Sequence, residues 1–286
     1  MKTQFIKITP NPGEPLTATE VIEQQFSAPL HYHPEIELVL ILESSGRRFV
    51  GDSIESFGPG DLVLIGENIP HFWCNDKHVS DDTNSRAIVV QFNKSFLGEN
   101  FFTATGANHI IKLFNDSIRG VCLTDCATKT LITEKLMTIL DLCTFDRTLC
   151  LLDILNILAK SKDVHYLSSP GFKPYLNEAD CTKMNKVYNY VYNNIGNTFD
   201  QSEVASLVNM SVSAFCHYFK KRTQKTFSQF ITEIRIGNAK RLLMETDMSI
   251  AEIAYESGYN SLSNFNKQFY ALEKLPPKVF RKNYSA

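Results

Sequence analysis

Along the first 130 residues the apolar positions come in short runs or in alternation, interrupted every few residues by Gly, Pro or Asn. Glu35 to Leu42 (EIELVLIL), Arg47 to Val50, Asp61 to Ile65 and Ala87 to Phe92 have strand composition, and Gly58-Pro59-Gly60 marks a turn ahead of the third. No helical period is legible before Ala127, so this stretch predicts a small barrel or sandwich. From Ala127 the period changes. Leu136, Ile139, Leu140 and Cys143 lie at i, i+3, i+4 and i+7, and after a break at Thr144 to Arg147 the set Leu151, Ile154, Leu155 and Leu158 repeats that spacing. Two amphipathic helices of about four turns follow, joined as a hairpin whose stripe can cover its own barrel or a second copy of the chain. Lys160 to Cys181 has no period and contains Ser-Ser-Pro-Gly, the composition of a linker.

The last hundred residues carry one helical pattern written twice. Glu203-Val204-Ala205 leads to Ser213-Ala214-Phe215 and Phe219; Glu252-Ile253-Ala254 leads to Ser263-Asn264-Phe265 and Phe269. In each copy a small Ala stands four residues before Asn209 or Gly258, residues that accept a positive φ, and a Phe pair follows at i, i+4. That is the requirement for two short helices crossing closely at a turn. Around the repeat, Thr182 to Ile195 predicts an opening helix ended by Gly196, Asp200 or Ser202 and then Ser211 are N-cap candidates, and Phe227 to Met244 predicts a long connecting helix. Pro276-Pro277 ends the second copy and a last basic turn, Lys278 to Lys282, follows.

Composition narrows the function. With 286 residues, 43% hydrophobic and 21% charged, the chain is globular and long enough for two cores. The opening MKTQFIKITPNPGEP lacks a signal-peptide core and no run reaches the length of a membrane span, so a cytoplasmic protein without membrane contact is expected. Seven cysteines without a C-x-x-C pair speak against a disulfide framework or a zinc finger. The net charge of −2 conceals an asymmetry: from Thr182 onward 14 Lys and Arg face 8 Asp and Glu, whereas the rest of the chain is acidic. A basic module on an acidic body is the distribution of a DNA reader attached to a sensor.

Candidate site chemistry in the first half is concentrated in His31, His33, Glu37 and His71, with Trp73, the single tryptophan, two residues further on. In extended backbone His31, His33 and Glu37 share a face. Three roles stay open for these four side chains: ligands of a divalent metal such as Zn, Fe, Mn or Ni, polar groups of an effector pocket, or structural residues. Trp73 is a candidate platform for a sugar-like or aromatic effector, or a packing residue.

The C-terminal hundred residues, above all IRIGNAKRLLMETDMSIAEIAYESGYNSLSNFNKQF followed by PPKVFRKNY, resemble the AraC/XylS family of bacterial transcription regulators. The resemblance implies an all-α double helix-turn-helix in which Ser213, Cys216 and His217 of the first copy, and Leu262, Ser263, Asn266 and Lys267 of the second, meet base edges. Lys220, Lys221, Arg222, Lys225 and Arg281 are suited to phosphates, which set register without reading sequence. Tyr270 and Glu273-Lys274-Leu275 depart from the family pattern, where a basic residue and a Gly-containing turn are usual. The first half is similar to the cupin barrel, whose two motifs supply His, His, Glu and a later His, although Gly66 and Asn68 stand where the second motif has Pro and Gly.

Together these features predict an α+β chain. Residues 1–165 form a cupin-like sensing and dimerising domain, with the barrel at about 1–126 and the hairpin at about 127–160. Residues 166–181 form a linker, and residues 182–286 an AraC-type DNA-binding domain. The expected function is a sequence-specific transcriptional regulator, an activator rather than an enzyme. It would be controlled by a small molecule held by His31, His33, Glu37, His71 and Trp73, with no required cofactor. Its expected partners are double-stranded DNA, RNA polymerase and a second copy of itself. The alternative is a cupin-type metalloenzyme with an appended DNA-binding domain.

Overall fold

The computed structural model describes residues 14–75, 84–170, 172, 183, 184, 186–188, 190, 191, 194–197, 199–223 and 225–284. The chain divides into two compact units, residues 1–181 and 182–286.

The first unit carries β1 (Leu16–Glu23), β2 (Ile36–Glu43), β3 (Gly46–Val50), β4 (Ser53–Phe57), β5 (Leu62–Ile65), β6 (His71–Asn75), β7 (Ser85–Phe92), β8 (Val121–Leu123) and β9 (Val164–Tyr166). They form a six-stranded sheet of order β1-β7-β2-β5-β8-β9 and a three-stranded sheet of order β4-β3-β6, all neighbours antiparallel. Among the described residues neither sheet closes into a barrel. The four strands expected from composition are present within one or two residues, and β1, β4, β6, β8 and β9 are additional.

The larger sheet has two differently used faces. Leu16, Ile36, Leu38, Leu40, Leu62, Leu64, Ile88, Val90 and Phe92 join a core with α2 (Asn108–Asp116), α3 (Cys126–Ile139) and α4 (Thr144–Lys160). The alternate residues of β1, β2 and β7 face a cavity. That is why EIELVLIL is almost uninterrupted in its burial: period 2 puts its two sets on two covered faces. A four-residue helix, α1 (Phe101–Ala104), precedes α2.

Three expectations are corrected in this unit. Ile110, Leu113 and Phe114 give α2 a helical stripe inside the stretch expected to hold none; its nine residues are too few to dominate a long window. The break in the hairpin lies at Leu140 to Cys143, because α4 already starts at Thr144, and Cys143 is an exposed cap rather than part of the stripe. Residues 164–166 pair with β8, and Ser168 Oγ donates to Val50 O, so the segment expected as linker begins as part of this unit; its residues 173–181 lie outside the described residues.

In the second unit the described residues between 183 and 191 are helical, with Met184, Val187 and Val191 buried. Then follow α5 (Gln201–Leu207), α6 (Val212–Thr223), α7 (Phe227–Glu245), α8 (Ile250–Glu256), α9 (Leu262–Glu273) and α10 (Pro277–Tyr284). Asp200 caps α5, the Ser211 hydroxyl accepts from Ala214 N, and Ser261 caps α9. Capping boxes start α7 (Thr226, Gln229) and α8 (Ser249, Glu252). Phe215 and Phe219 pack with Phe227 and Phe230, while Phe265 and Phe269 pack with Tyr259 and Phe280. Asn209 and Gly258 take φ of 55° and 80°, as their turns require. Gly258 has a second constraint: a Cβ there would lie 2.6 Å from Ile195 O and 2.9 Å from Arg235 Nε. Gly196, expected to end the opening helix, does not take a positive φ, and the last basic turn is the helix α10, with Pro277 at its start.

Candidate effector pocket and nucleic-acid interface

The cavity of the first unit has a volume of about 310 Å³. Thr19, Val21 and Glu23 of β1, Glu37, Val39 and Ile41 of β2, and Ala87, Val89 and Gln91 of β7 form its floor. Residues 26–28, His31 and Trp73 complete the wall. Its middle is aliphatic; His31, Glu37 and Gln91 gather at one end, and Glu23 with Ser27 lies toward the other.

That end is built from backbone outward. His31 and His71 pair as an antiparallel bridge, His31 N donating to His71 O at 3.1 Å and His71 N to His31 O at 2.9 Å. The Nδ1 atoms of His31, His33 and His71 lie 2.8, 3.1 and 2.7 Å from the carbonyl oxygens of Pro29, Glu35 and Ile69. A carbonyl only accepts, so each Nδ1 carries a proton and each Nε2 is left for the interior of the cluster. His33 Nε2 donates to Glu37 Oε2 at 3.0 Å, and Gln91 Nε2 donates to the same oxygen at 2.5 Å. His71 Nε2 lies 3.4 Å from Glu37 Oε1 and, though buried, has no hydrogen-bond partner among the described residues.

Charge follows from these contacts. Burial opposes ionisation of Glu37, but His71 and His33 outweigh it and hold the carboxyl well below its usual range. Burial also opposes a cationic His33, yet the hydrogen bond and charge of Glu37 raise its pKa. For His31 burial dominates, aided by His71, and its pKa falls to about 3, so its Nε2 is an acceptor at neutral pH.

One ligand atom from each of His31, His33, Glu37 and His71 lies within 4.8 Å of the others. Imidazoles oriented by backbone carbonyls, a carboxylate, and an orphaned nitrogen fit a divalent first-row cation after a small contraction. Trp73, 9% exposed, meets His71 edge to face at 5.9 Å, and its buried Nε1 has no acceptor among the described residues. The five residues singled out from the sequence thus share one site. Gln91 and Glu23 were missed; the signal for Gln91 is an amide inside an otherwise apolar strand.

In the second unit Ser213 and His217 of α6 are exposed, and Cys216 is half-buried, its thiol 3.7 Å from Gln201 Oε1. Lys220 and Lys221 are exposed, and the Arg222 guanidinium lies 5.6 Å from the Tyr218 ring. On α9, Leu262, Ser263, Asn266 and Lys267 are exposed, and Phe265 and Phe269 are buried. Arg281 is used internally: its guanidinium donates to Leu243 O and Met248 O, closing α10 onto the end of α7, and Lys225 pairs with Glu233 at 2.8 Å. Two copies of a helix–turn–helix, each presenting a polar face over a Phe pair, define a DNA-binding module.

Comparison with known proteins agrees. Residues 204–283 match the family described as a helix-turn-helix domain. The HTH-type transcriptional regulator YdeC of Bacillus subtilis (strain 168) is 23% identical over 261 residues, covering 89% of this chain and 86% of the relative. The melibiose operon regulatory protein of Escherichia coli (strain K12) is 24% identical over 281 residues, covering 91% and 87%. The DNA-binding domain of AdpA, solved in complex with a target DNA, is 24% identical, covers 36% of this chain and 92% of its own, and superposes with a TM-score of 0.35. The chain is a DNA-binding transcriptional regulator: it carries a helix-turn-helix domain at residues 204–283 and is similar over most of its length to transcriptional regulators. Among the described residues no helix is long and apolar enough to cross a membrane.

Proposed function

We propose that this regulator is switched by a small molecule seated in the first unit, at His31, His33, Glu37, His71 and Trp73, and that the second unit reads DNA with α6 and α9. The observation that carries the first part is the use of the sheet's second face: alternate residues of three strands line a cavity ending in a buried polar cluster, an arrangement suited to binding. A cupin-like sensor with a helical hairpin that pairs two protomers, a linker within residues 166–181, action as a cytoplasmic activator and contact with RNA polymerase complete the proposal. Exposed Leu131, Met137, Phe145 and Leu149 on the hairpin support the pairing. A sugar-like effector is supported by the melibiose operon regulatory protein among the relatives.

For DNA, Ser213, Cys216, His217, Leu262, Ser263, Asn266 and Lys267 are the proposed base-facing residues, with Lys220, Lys221 and Arg222 on phosphates. The effector must bind the two arrangements of the protein with different affinity, or nothing is transmitted. Because Trp73 is the only tryptophan, its fluorescence reports the cavity directly. Titration with mono- and disaccharides is expected to change that emission and DNA affinity together, and both responses should vanish in His71→Ala. Effector-dependent DNA binding that survives in His33→Ala/His71→Ala would place the site elsewhere. The four-ligand cluster favours a second role, a metal-dependent enzyme activity in the same cavity; metal analysis of the purified chain, followed by turnover assays, separates the two.

A further inference from the structure

We infer that Asn264 is a base-reading residue of the second helix-turn-helix, specific for adenine and held in its reading orientation by a relay through Gln268 and Tyr259. The inference rests on α9 lying in the major groove, as proposed above.

Helical geometry gives the first support. With Phe265 and Phe269 fully buried, the opposite direction on α9 passes through Lys267; at about 100° per residue Ser263 lies about 40° from it, Asn264 about 60° and Asn266 about 100°. Asn266 and Lys267 both line a surface cleft with Tyr270, Pro276, Pro277 and Lys278, so the angle around the helix, not the cleft, separates them. A recognition helix reaches bases with its N-terminal residues, and Asn264 stands in the first turn and is exposed.

The relay gives the second support. The phenol of Tyr259, 3% exposed, lies 2.9 Å from Gln268 Oε1, and Gln268 Nε2 lies 3.3 Å from Asn264 Oδ1. The amides can be oriented in two ways, and only one uses the proton of the buried phenol: Tyr259 O–H donates to Gln268 Oε1, and Gln268 Nε2 donates to Asn264 Oδ1. Asn264 then presents both protons of Nδ2 outward with one lone pair of Oδ1 remaining. That is the donor–acceptor pair that meets N7 and N6 of adenine. Tyr259 is itself fixed, stacked edge to face on Phe265 at 5.3 Å and facing Arg235, whose Nη2 donates to Asn197 O at 2.7 Å. The first copy has no such device: the positions fifty residues earlier are Ala214 and Tyr218. The relay is therefore not a requirement of the repeat.

The test is selection and sequencing of bound DNA from a random pool with the full chain, as wild type, Asn264→Ala, Tyr259→Phe and Lys267→Ala, with far-UV melting as the folding check. Asn264→Ala is expected to lose preference for adenine at one base pair, with affinity for the selected site falling about 5- to 150-fold and affinity for sites already altered there unchanged. Tyr259→Phe, which removes only the hydroxyl, should weaken preference at that base pair and no other. Retained preference in Asn264→Ala, or equal weakening on all sequences, overturns the inference. If Lys267→Ala changes the preferred sequence while Asn264→Ala does not, only the assignment of Asn264 falls. If neither changes it, the placement of α9 in the groove falls as well.

Discussion

Replacing Gly258 separates two reasons for a glycine that usually come together. The turn before α9 needs a positive φ, which costs an L-residue about 1–2 kcal/mol, though Asn pays less because it visits this region readily. The first copy takes that solution, with Asn209 at φ 55°. At Gly258 the φ is 80°, and a Cβ would also stand 2.6 Å from Ile195 O and 2.9 Å from Arg235 Nε. Accommodating it must displace the carbonyl or the guanidinium that donates to Asn197 O, a charge-assisted hydrogen bond of about 1.5–3 kcal/mol. Gly258→Ala should therefore destabilise the second unit by about 2–4 kcal/mol, the sum of conformation and part of that contact. Gly258→Asn should cost nearly as much, about 1.5–3 kcal/mol, because Asn relieves only the φ term. The assay is urea unfolding of the full chain followed by ellipticity at 222 nm, where the helical second unit dominates. Trp73 emission follows the first unit in the same samples and should be unmoved. A Gly258→Asn variant within about 0.5 kcal/mol of wild type would show that φ alone selects the glycine and that the approach to Ile195 is not restrictive.

The remaining predictions concern the pocket and the DNA. Glu37→Gln breaks a buried charge pair with His33 and should destabilise the first unit at neutral pH by about 3–5 kcal/mol, read as an earlier midpoint in Trp73 emission. The sign of its pH dependence follows from the lowered carboxyl: the wild type holds this stability above the ordinary value of 4.5 and loses it as pH falls through the folded-state value. Acid unfolding of Glu37→Gln should accordingly be flatter below pH 4.5, and an unchanged acid limb would remove the carboxylate role. Lys220→Ala and Lys221→Ala should each reduce the slope of log affinity against log salt by about one while leaving the preferred sequence intact.

Much of this was readable from residue spacing. The doubled Ala, turn and Phe pattern marked both helix-turn-helix copies, because a close helix crossing restricts its small residue, its turn and its anchors together. The His31, His33, Glu37, His71 set was legible as chemistry, but its cause was not. His33 lies outside β2, and what brings the rings together is the His31–His71 bridge and the three carbonyls that hold Nδ1. The short strands β4, β8 and β9 were hidden because three to five residues carry too little alternation to stand out. Arg281 read as a phosphate contact from charge alone, since nothing local reveals that the carbonyls of Leu243, in the last turn of α7, and of Met248, beyond it, receive it. The relay from Tyr259 to Asn264 likewise depends on a turn and a helix face meeting at side-chain level.

How the second unit meets DNA is tested most directly by the sequences it selects. Two reading helices joined by a 19-residue helix, about 28 Å long, are predicted to occupy successive major-groove faces. Selection of bound sequences from a random pool by the full chain should yield an asymmetric site with two short blocks centred about 10 base pairs apart, one block altered by Lys267→Ala and the other by His217→Ala. Enrichment of no sequence over the starting pool, or a single block indifferent to both substitutions, would contradict it.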